Sequence, residues 1–307
     1  MTTESGIVHL EGREFFDGAD CRLSAVTMGD PAGPVMVLVH GMRDHALSMQ
    51  VVAEAFPGWR CILPDLRGHG DSDNPGSYSI LKFLADLEAL VRHFSLEDFV
   101  LVGHSLGGHI SVRYAALYPE RIRALVLIDG MGPPRGPEVQ HPPDMERWRG
   151  AIDAAVINVD QGRVMADVSE ALTRLRRNNP RLDAVHGHLI ASEGVRPVPG
   201  GVTWKWDPRV DQIWMTFAHA DTEAMCGSVT APVLLLTGDA SLDYWVQAGI
   251  HKDAFPDNAL AAEAERRVRL FPRAEAEMIP GAGHMVQYDE PAALGAAITR
   301  FLERKLA

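Results

Sequence analysis

Short, wholly apolar runs recur along this chain between helix-length segments, and that recurrence restricts the fold more than any other feature. Val35-Met-Val-Leu-Val39 and residues about 60–63, 98–102 and 123–128 are rich in Val, Ile and Leu and are bounded by Gly, Pro or Asp. A run of this length without polar alternation reads as a strand buried on both faces. Between these runs, residues 78–94 bring Ile80, Phe83, Leu84, Leu87, Leu90 and Val91 round at helical spacing, and residues 105–118 stop before Pro119, a residue that ends helices. The alternation predicts an α/β protein with a mostly parallel, doubly wound sheet.

After Ile128 the alternation breaks. A Pro-rich stretch, GPPRGPEVQHPP, precedes two amphipathic patterns, one with Met145, Trp148, Ile152 and Ala155 on a face and one with Val164, Val168, Leu172 and Leu175. A strand pair is expected near Val202-Thr203-Trp204, and the earlier pattern resumes with Val233–Leu236, a helix near 258–270, a strand near 275–279 and a last helix over 291–304. The predicted organisation is one core, residues 1–131 and 229–307, interrupted by a helical cap over 132–228. No internal repeat or low-complexity tract is visible.

The charge balance narrows the partners. Lys and Arg total 29 against 41 Asp and Glu, a formal net charge of −12, with the two signs mixed and no basic stripe to neutralise phosphates. Nucleic acid is not expected. The longest apolar run near the N-terminus is too short to span a bilayer, no leader pattern precedes it, and a cytoplasmic protein without membrane association is expected. Cys21, Cys61 and Cys226 are scattered and read as buried free thiols. No HExxH, GxGxxG or GxxxxGK[ST] occurs, and His186-Gly-His188 would point to different faces of a helix, so neither metal nor cofactor is expected.

Chemistry concentrates at Val102-Gly-His-Ser105-Leu-Gly-Gly108. The pattern G-x-S-x-G lies between the run Phe99–Val102 and a helical segment, where a sharp turn lifts the hydroxyl above the sheet and needs glycine on both sides. The alternative is a plain glycine-rich turn. A serine hydroxyl is a poor attacker until a base takes its proton, so Ser105 as nucleophile requires a base, an orienting acid and an anion site. His104 would point away from the hydroxyl and reads as structural. Leu106 N–H, at the helix N-terminus, is one expected oxyanion donor, and Met42 N–H, in the turn His40-Gly41-Met42 after the first strand, is the other. For His40-Gly41 the alternative is again a simple turn. His284, in a glycine-containing loop after the strand near 275–279, is the expected base.

Together these residues resemble the α/β-hydrolase superfamily over nearly the whole chain. The likeness rests on His40-Gly41, Asp65-Leu-Arg-Gly-His-Gly-Asp-Ser72, GHSLGG, Pro119-Glu-Arg-Ile and Gly283-His284. HGMRDHA, LIDGMGPP and VTWKWDP look more narrowly like capped bacterial hydrolases related to serine hydrolase-like proteins. The resemblance implies an α/β-hydrolase fold and a Ser, acid, His order. Members most often carry the acid fourth in a G-x-x-D turn after the strand that follows the cap, yet Gly238-Asp239-Ala240-Ser241 has serine there. Asp129, which ends the strand 124–128 and matches a second acid site of the family, is the first choice. Its alternative role is to bond the backbone of the Gly130 turn. Asp239 and Asp243 stay open, as does the absence of any working acid. Asp65 belongs to a structural turn by the same resemblance, and Asp44 is placed near the oxyanion loop as a residue that could line the pocket.

Caps of this family cover the nucleophile and supply the pocket. Trp148, Trp204, Trp206, Trp214, Met215 and Phe217 make this one apolar, so a hydrophobic small-molecule substrate is expected. Epoxide hydrolases and haloalkane dehalogenases on this fold need an aspartate nucleophile, and position 105 is a serine. Ester, lactone, thioester or amide hydrolysis through an acyl-enzyme is the expected activity. Carbon–carbon bond hydrolysis, with Arg43 holding a substrate carboxylate, and a non-catalytic ligand binder are the alternatives. Homo-oligomerisation is left open.

Overall fold

The computed structural model describes residues 12–135, 145–157, 162–249 and 255–306. Its strands are β1 (Arg13–Asp17), β2 (Arg22–Gly29), β3 (Val35–Val39), β4 (Arg60–Asp65), β5 (Phe99–His104), β6 (Ile122–Ile128), β7 (Val195–Val198), β8 (Gly201–Trp204), β9 (Val233–Gly238) and β10 (Ala274–Ile279). Eight of them form one sheet in the order β1-β2-β4-β3-β5-β6-β9-β10, and β7 and β8 form a separate hairpin. From β4 to β10 every pairing is parallel, whereas β2 runs antiparallel to both β1 and β4.

Parallel strands covered on both faces explain the unbroken apolar runs. Val37, Val39, Leu101, Leu125, Leu127, Val233 and Leu235 pack to one side, with the helices Ile80–His93 and Leu106–Leu117. Their neighbours Met36, Leu38, Val100, Val102, Ala124, Val126, Leu234 and Leu236 pack to the other, with the helix Pro291–Leu306. The alternation is the period-2 geometry of a strand read at full burial on both faces. In chain order β4 lies on one side of β3 and β5 on the other, so the crevice at the carboxyl ends of β3 and β5 is the topological switch point, where open α/β sheets bind ligands.

Between β6 and β9 lie the helices Met145–Ile157, Val168–Asn178, Ala184–Gly194 and His219–Cys226 and the β7–β8 hairpin. Asp167 and Asp183 cap the second and third of these, accepting from Glu170 N–H and from Val185 and His186 N–H. Two expectations change here. Met145, Trp148 and Ile152 are exposed by 61%, 42% and 56%, so the apolar face they form is turned to solvent rather than inward. Val164 lies outside the helix it was assigned to and is also exposed. The Ala155 side chain and residues 136–144 of the Pro-rich stretch lie outside the described residues. Among the described residues no helix is long and apolar enough to cross a membrane. Cys61 and Cys226 are buried free thiols, while Cys21 is half-buried.

Candidate active site

The turn after β5 is built on backbone proximity. A Cβ at Gly103 would fall 2.5 Å from the Gly107 carbonyl oxygen, and one at Gly107 would fall 2.3 Å from the Val39 carbonyl oxygen. Only glycine lets strand, turn and helix meet this closely. Ser105 is thereby held at φ 52°, ψ −117°, a conformation that costs a non-glycine residue roughly 1–3 kcal/mol and persists only where its surroundings enforce it. Its N–H is tied to the Ile128 carbonyl at 3.1 Å, and its side chain faces the cavity described below.

His284 meets that side chain. Its Nε2 lies 3.0 Å from Ser105 Oγ and its Nδ1 lies 2.6 Å from Asp129 Oδ2. A carboxylate accepts, so Nδ1 carries the ring proton and Nε2 is the acceptor for the serine hydroxyl. The Asp129 oxygen also accepts from Ser241 Oγ. Asp129 sits at φ 42° one residue beyond β6, with its N–H bonded to the Leu236 carbonyl at 2.7 Å. Asp239 instead accepts from Gly281 N–H at 2.9 Å, and Asp243 lies in the first turn of the helix Ser241–Gln247. Of the carboxylates considered, Asp129 is the one hydrogen-bonded to His284. The serine at the usual acid position is its hydrogen-bond partner.

The imidazole of His284 is packed on several sides. Tyr244 stacks on it, centroid to centroid 4.0 Å and 15° from parallel, and Trp245 meets it edge-on at 5.2 Å. His104 sits behind, donating from Nε2 to the His284 carbonyl at 3.0 Å. Burial pushes the His104 pKa down to about 3, with the neighbouring His284 adding to the fall, so this donor is a neutral imidazole. The sequence marked His104 as structural without showing that it anchors the backbone of His284.

The loop after β3 is held by two more neutral histidines. Burial lowers His40 to about 3 and His69 to about 4. His40 Nδ1 donates to the Gly41 carbonyl at 2.7 Å, which leaves Nε2 to accept from Leu66 N–H at 3.0 Å. His69 Nδ1 donates to the Arg67 carbonyl, and its Nε2 accepts from Arg43 N–H at 3.1 Å, fixing Arg43 in a left-handed conformation at φ 60°. The adjoining Asp65 accepts from Arg13, Ser24, Ala46 N–H and Asp71 N–H. Burial opposes its charge, but Arg13 and these donors outweigh that and hold its pKa at about 2. Met42 faces the same cavity as Ser105, and Leu106 opens the helix behind it, where first-turn N–H groups lack helical partners.

Asp44 does not join the cavity wall. Its carboxylate accepts from Tyr288 Oη at 3.0 and 3.1 Å and from His45 N–H at 3.0 Å, and burial raises its pKa. Because Tyr288 lies four residues after His284, in the helix Val286–Asp289, this bond ties the β3 loop to the loop that carries His284. Arg43 is engaged as well, paired with Asp211 and lying 5.2 Å from the Trp206 ring centre.

A cavity of about 860 Å³ opens over Ser105. Its far wall includes Trp214, Met215, Phe217 and His219, and Tyr244 and Trp245 flank His284. Trp148 and Trp204 are elsewhere, the first exposed and the second packed with Met165, Ala171 and Val195.

Known proteins share this architecture. The chain is 27% identical to 2-(acetamidomethylene)succinate hydrolase of Mesorhizobium japonicum over 89% of each chain. It is 26% identical to a serine hydrolase-like protein of Danio rerio, over 90% of this chain and 83% of that protein. Among solved structures, the thioesterase domain from the curacin biosynthetic pathway superposes with a TM-score of 0.76 at 26% identity, covering 94% of this chain and 98% of that one. The model of the alpha/beta hydrolase fold matches residues 34–291, and the chain belongs to that family.

Proposed function

We propose that the protein is a serine hydrolase that needs no cofactor and acts through an acyl-enzyme on a hydrophobic ester or lactone. The observation that carries this reading is the hydrogen-bonded line Ser105 Oγ, His284 Nε2, His284 Nδ1, Asp129 Oδ2 on a strained turn facing the cavity. Ser105 Oγ attacks the substrate carbonyl carbon as His284 Nε2 takes its proton, and Asp129 stabilises the imidazolium and its orientation. The N–H groups of Leu106 and Met42 receive the oxyanion. His284 then gives the proton to the leaving oxygen, and water, activated by the same nitrogen, releases the acid. Residues 132–228 are the cap of this enzyme and 1–131 and 229–307 its core.

Apolar selectivity is supported by the aromatic and Met side chains of the cavity. Carbon–carbon bond hydrolysis would ask Arg43 to hold a substrate carboxylate, and its pairing with Asp211 weighs against that. Intact-mass labelling with a fluorophosphonate tests the reading. One adduct is expected on wild type and none on Ser105→Ala, together with loss of aryl-ester turnover by about 10⁶-fold in that variant. A folded wild type that takes no adduct, although the probe displaces a dye from the cavity, would leave a ligand-binding protein as the reading.

A further inference from the structure

The helix that begins behind Ser105 brings a second polar side chain into the same cavity. His109 lies one turn along, its N–H 3.3 Å from the Ser105 carbonyl oxygen. The residue is only 3% exposed, yet it forms part of the cavity wall. Its tautomer follows from its neighbours. Thr222 Oγ1 accepts from Arg113 and lies 3.2 Å from His109 Nδ1. A guanidinium can only donate, and among the described residues His109 Nδ1 is the acceptor within reach of the Thr222 hydroxyl, so its single proton is directed to Nδ1. The ring proton therefore sits on Nε2.

Burial, aided by His219, Arg113 and Arg267, keeps the pKa of His109 well below the ordinary histidine value, and the ring stays neutral. Phe217 braces it edge-on at 4.8 Å and His219 packs at 5.1 Å. Among the described residues, Thr222 Oγ1 is the side-chain partner of this ring, and it engages Nδ1 alone. Nε2 is not among the fully enclosed unpaired atoms, so its N–H stays open to the cavity and available to a substrate oxygen.

We propose that His109 selects the substrate, its fixed Nε2–H receiving a second, uncharged carbonyl oxygen of an oxo-acyl or amido-acyl group about one helical turn from Ser105. This rests on the reading of Ser105 as the nucleophile. The acceptor is uncharged because the donor is a neutral imidazole and because the arginines of the cavity wall among the described residues, Arg43 and Arg209, are bound to Asp211 and Asp207. Arg113 and Arg267 lie close to the ring but outside that wall, Arg113 bound to Thr222 and to the His109 and Ala218 carbonyls and Arg267 to Glu263 and to the Met131, Gly132 and Pro133 carbonyls.

The test compares p-nitrophenyl 5-oxohexanoate with p-nitrophenyl 5-methylhexanoate, and the 4-oxopentanoate with the 4-methylpentanoate, so that each pair exchanges a carbonyl oxygen for a methyl group. The oxo-to-methyl ratio of kcat/KM in wild type should exceed that in His109→Phe by about tenfold for at least one pair. His109→Gln, which retains an N–H, should restore part of the ratio, and Thr222→Val should lower it by freeing the tautomer. Equal ratios in wild type and His109→Phe for both pairs overturn the proposal. If His109→Phe does not fold, the ¹H–¹⁵N coupling pattern of wild type decides, since an Nδ1–H tautomer at His109 overturns it and Nε2–H upholds it. Absence of turnover together with absence of a fluorophosphonate adduct would instead overturn the nucleophile. In that event, calorimetry on Ser105→Ala with the paired methyl esters still reads the donor, with about tenfold tighter binding of the oxo ester upholding it and equal affinity overturning it.

Discussion

On the sheet side of the cavity, Ser105, Asp129 and His284 hang from the ends of β5, β6 and β10, where backbone meets backbone too closely for any Cβ at Gly103 or Gly107. The opposite wall, with Trp214, Met215 and Phe217, belongs to the segment between β6 and β9, which meets the sheet side through side-chain bonds, Arg43 to Asp211, Tyr78 to Asp207 at 2.5 Å, Lys205 to Asp71 at 2.6 Å and His45 to the Ile190 carbonyl at 3.0 Å, and through the packing of Val210, Ile213 and Cys226. The first construction fixes distances between reacting groups and tolerates little. The second lets the cavity wall change residue by residue. Rate should therefore depend on the sheet side and choice of substrate on the opposite wall.

The hardest test of that division is Asp129→Asn, which is expected to lower kcat by about 10⁴-fold by removing the acceptor that sets the His284 tautomer. Asp239→Asn and Asp243→Asn should stay within a few-fold of wild type in the same aryl-ester assay. A large loss at either would move the acid to β9.

Acid should act first on the sheet side. His40, His69 and His104 have native pKa values of about 3, 4 and 3, below the ordinary histidine value. The unfolded chain therefore takes up protons that the native state refuses, and stability is fully present above about pH 6.5 and lost as the pH falls towards those native values. By pH 5 each histidine withdraws about 2 kcal/mol, whereas Asp65, with its pKa of about 2, begins to matter only below the ordinary carboxylate range. Urea midpoints from pH 7.5 to 4.5 should fall in this window, and His69→Gln should flatten the slope. A flat profile would contradict the buried neutral imidazoles.

Ser241→Ala removes one donor from Asp129 and should reduce kcat by about tenfold with little change in KM. A change confined to KM would place Ser241 outside the hydrogen-bonded line. The smallest effect belongs to the Arg43–Asp211 contact. Arg43 and Asp211 are 53% and 37% exposed, and such a pair contributes under about 1 kcal/mol, so Asp211→Asn should alter KM by no more than a few-fold.

Much of this arrangement was legible in the chain. Strands β3, β5, β6 and β9 announce themselves because burial on both faces demands unbroken apolar runs, and Ser105 and His284 follow from turns that need glycine or a fixed position in the order of elements. Strands β1 and β2 escaped because REFFD and RLSAVTMG mix charge with apolar residues, as strands at or near a sheet edge do. The orientation of the helix Met145–Ile157 also escaped, since an amphipathic pattern states that a face exists and not what covers it. Asp129 was recognisable as a strand end, and Ser241 as a departure from the common pattern. Their mutual hydrogen bond depends on β6 and β9 being neighbours, a long-range fact that local sequence does not carry. For the same reason the Thr222 proton that sets His109 could not be read from either segment.

The contact between Asp129 and Ser241 has one more consequence. Ile128 and Leu236 are paired in register, so the two strand ends offer interchangeable addresses for a single carboxylate, with the vacated address filled by a hydroxyl that greets the incoming group. A chain of this family can then relocate its acid by exchanging two touching side chains, without rebuilding a loop. Searches that insist on aspartate after β9 will pass over such chains, while a search for the pair, acid at one address and hydroxyl at the other, will collect them.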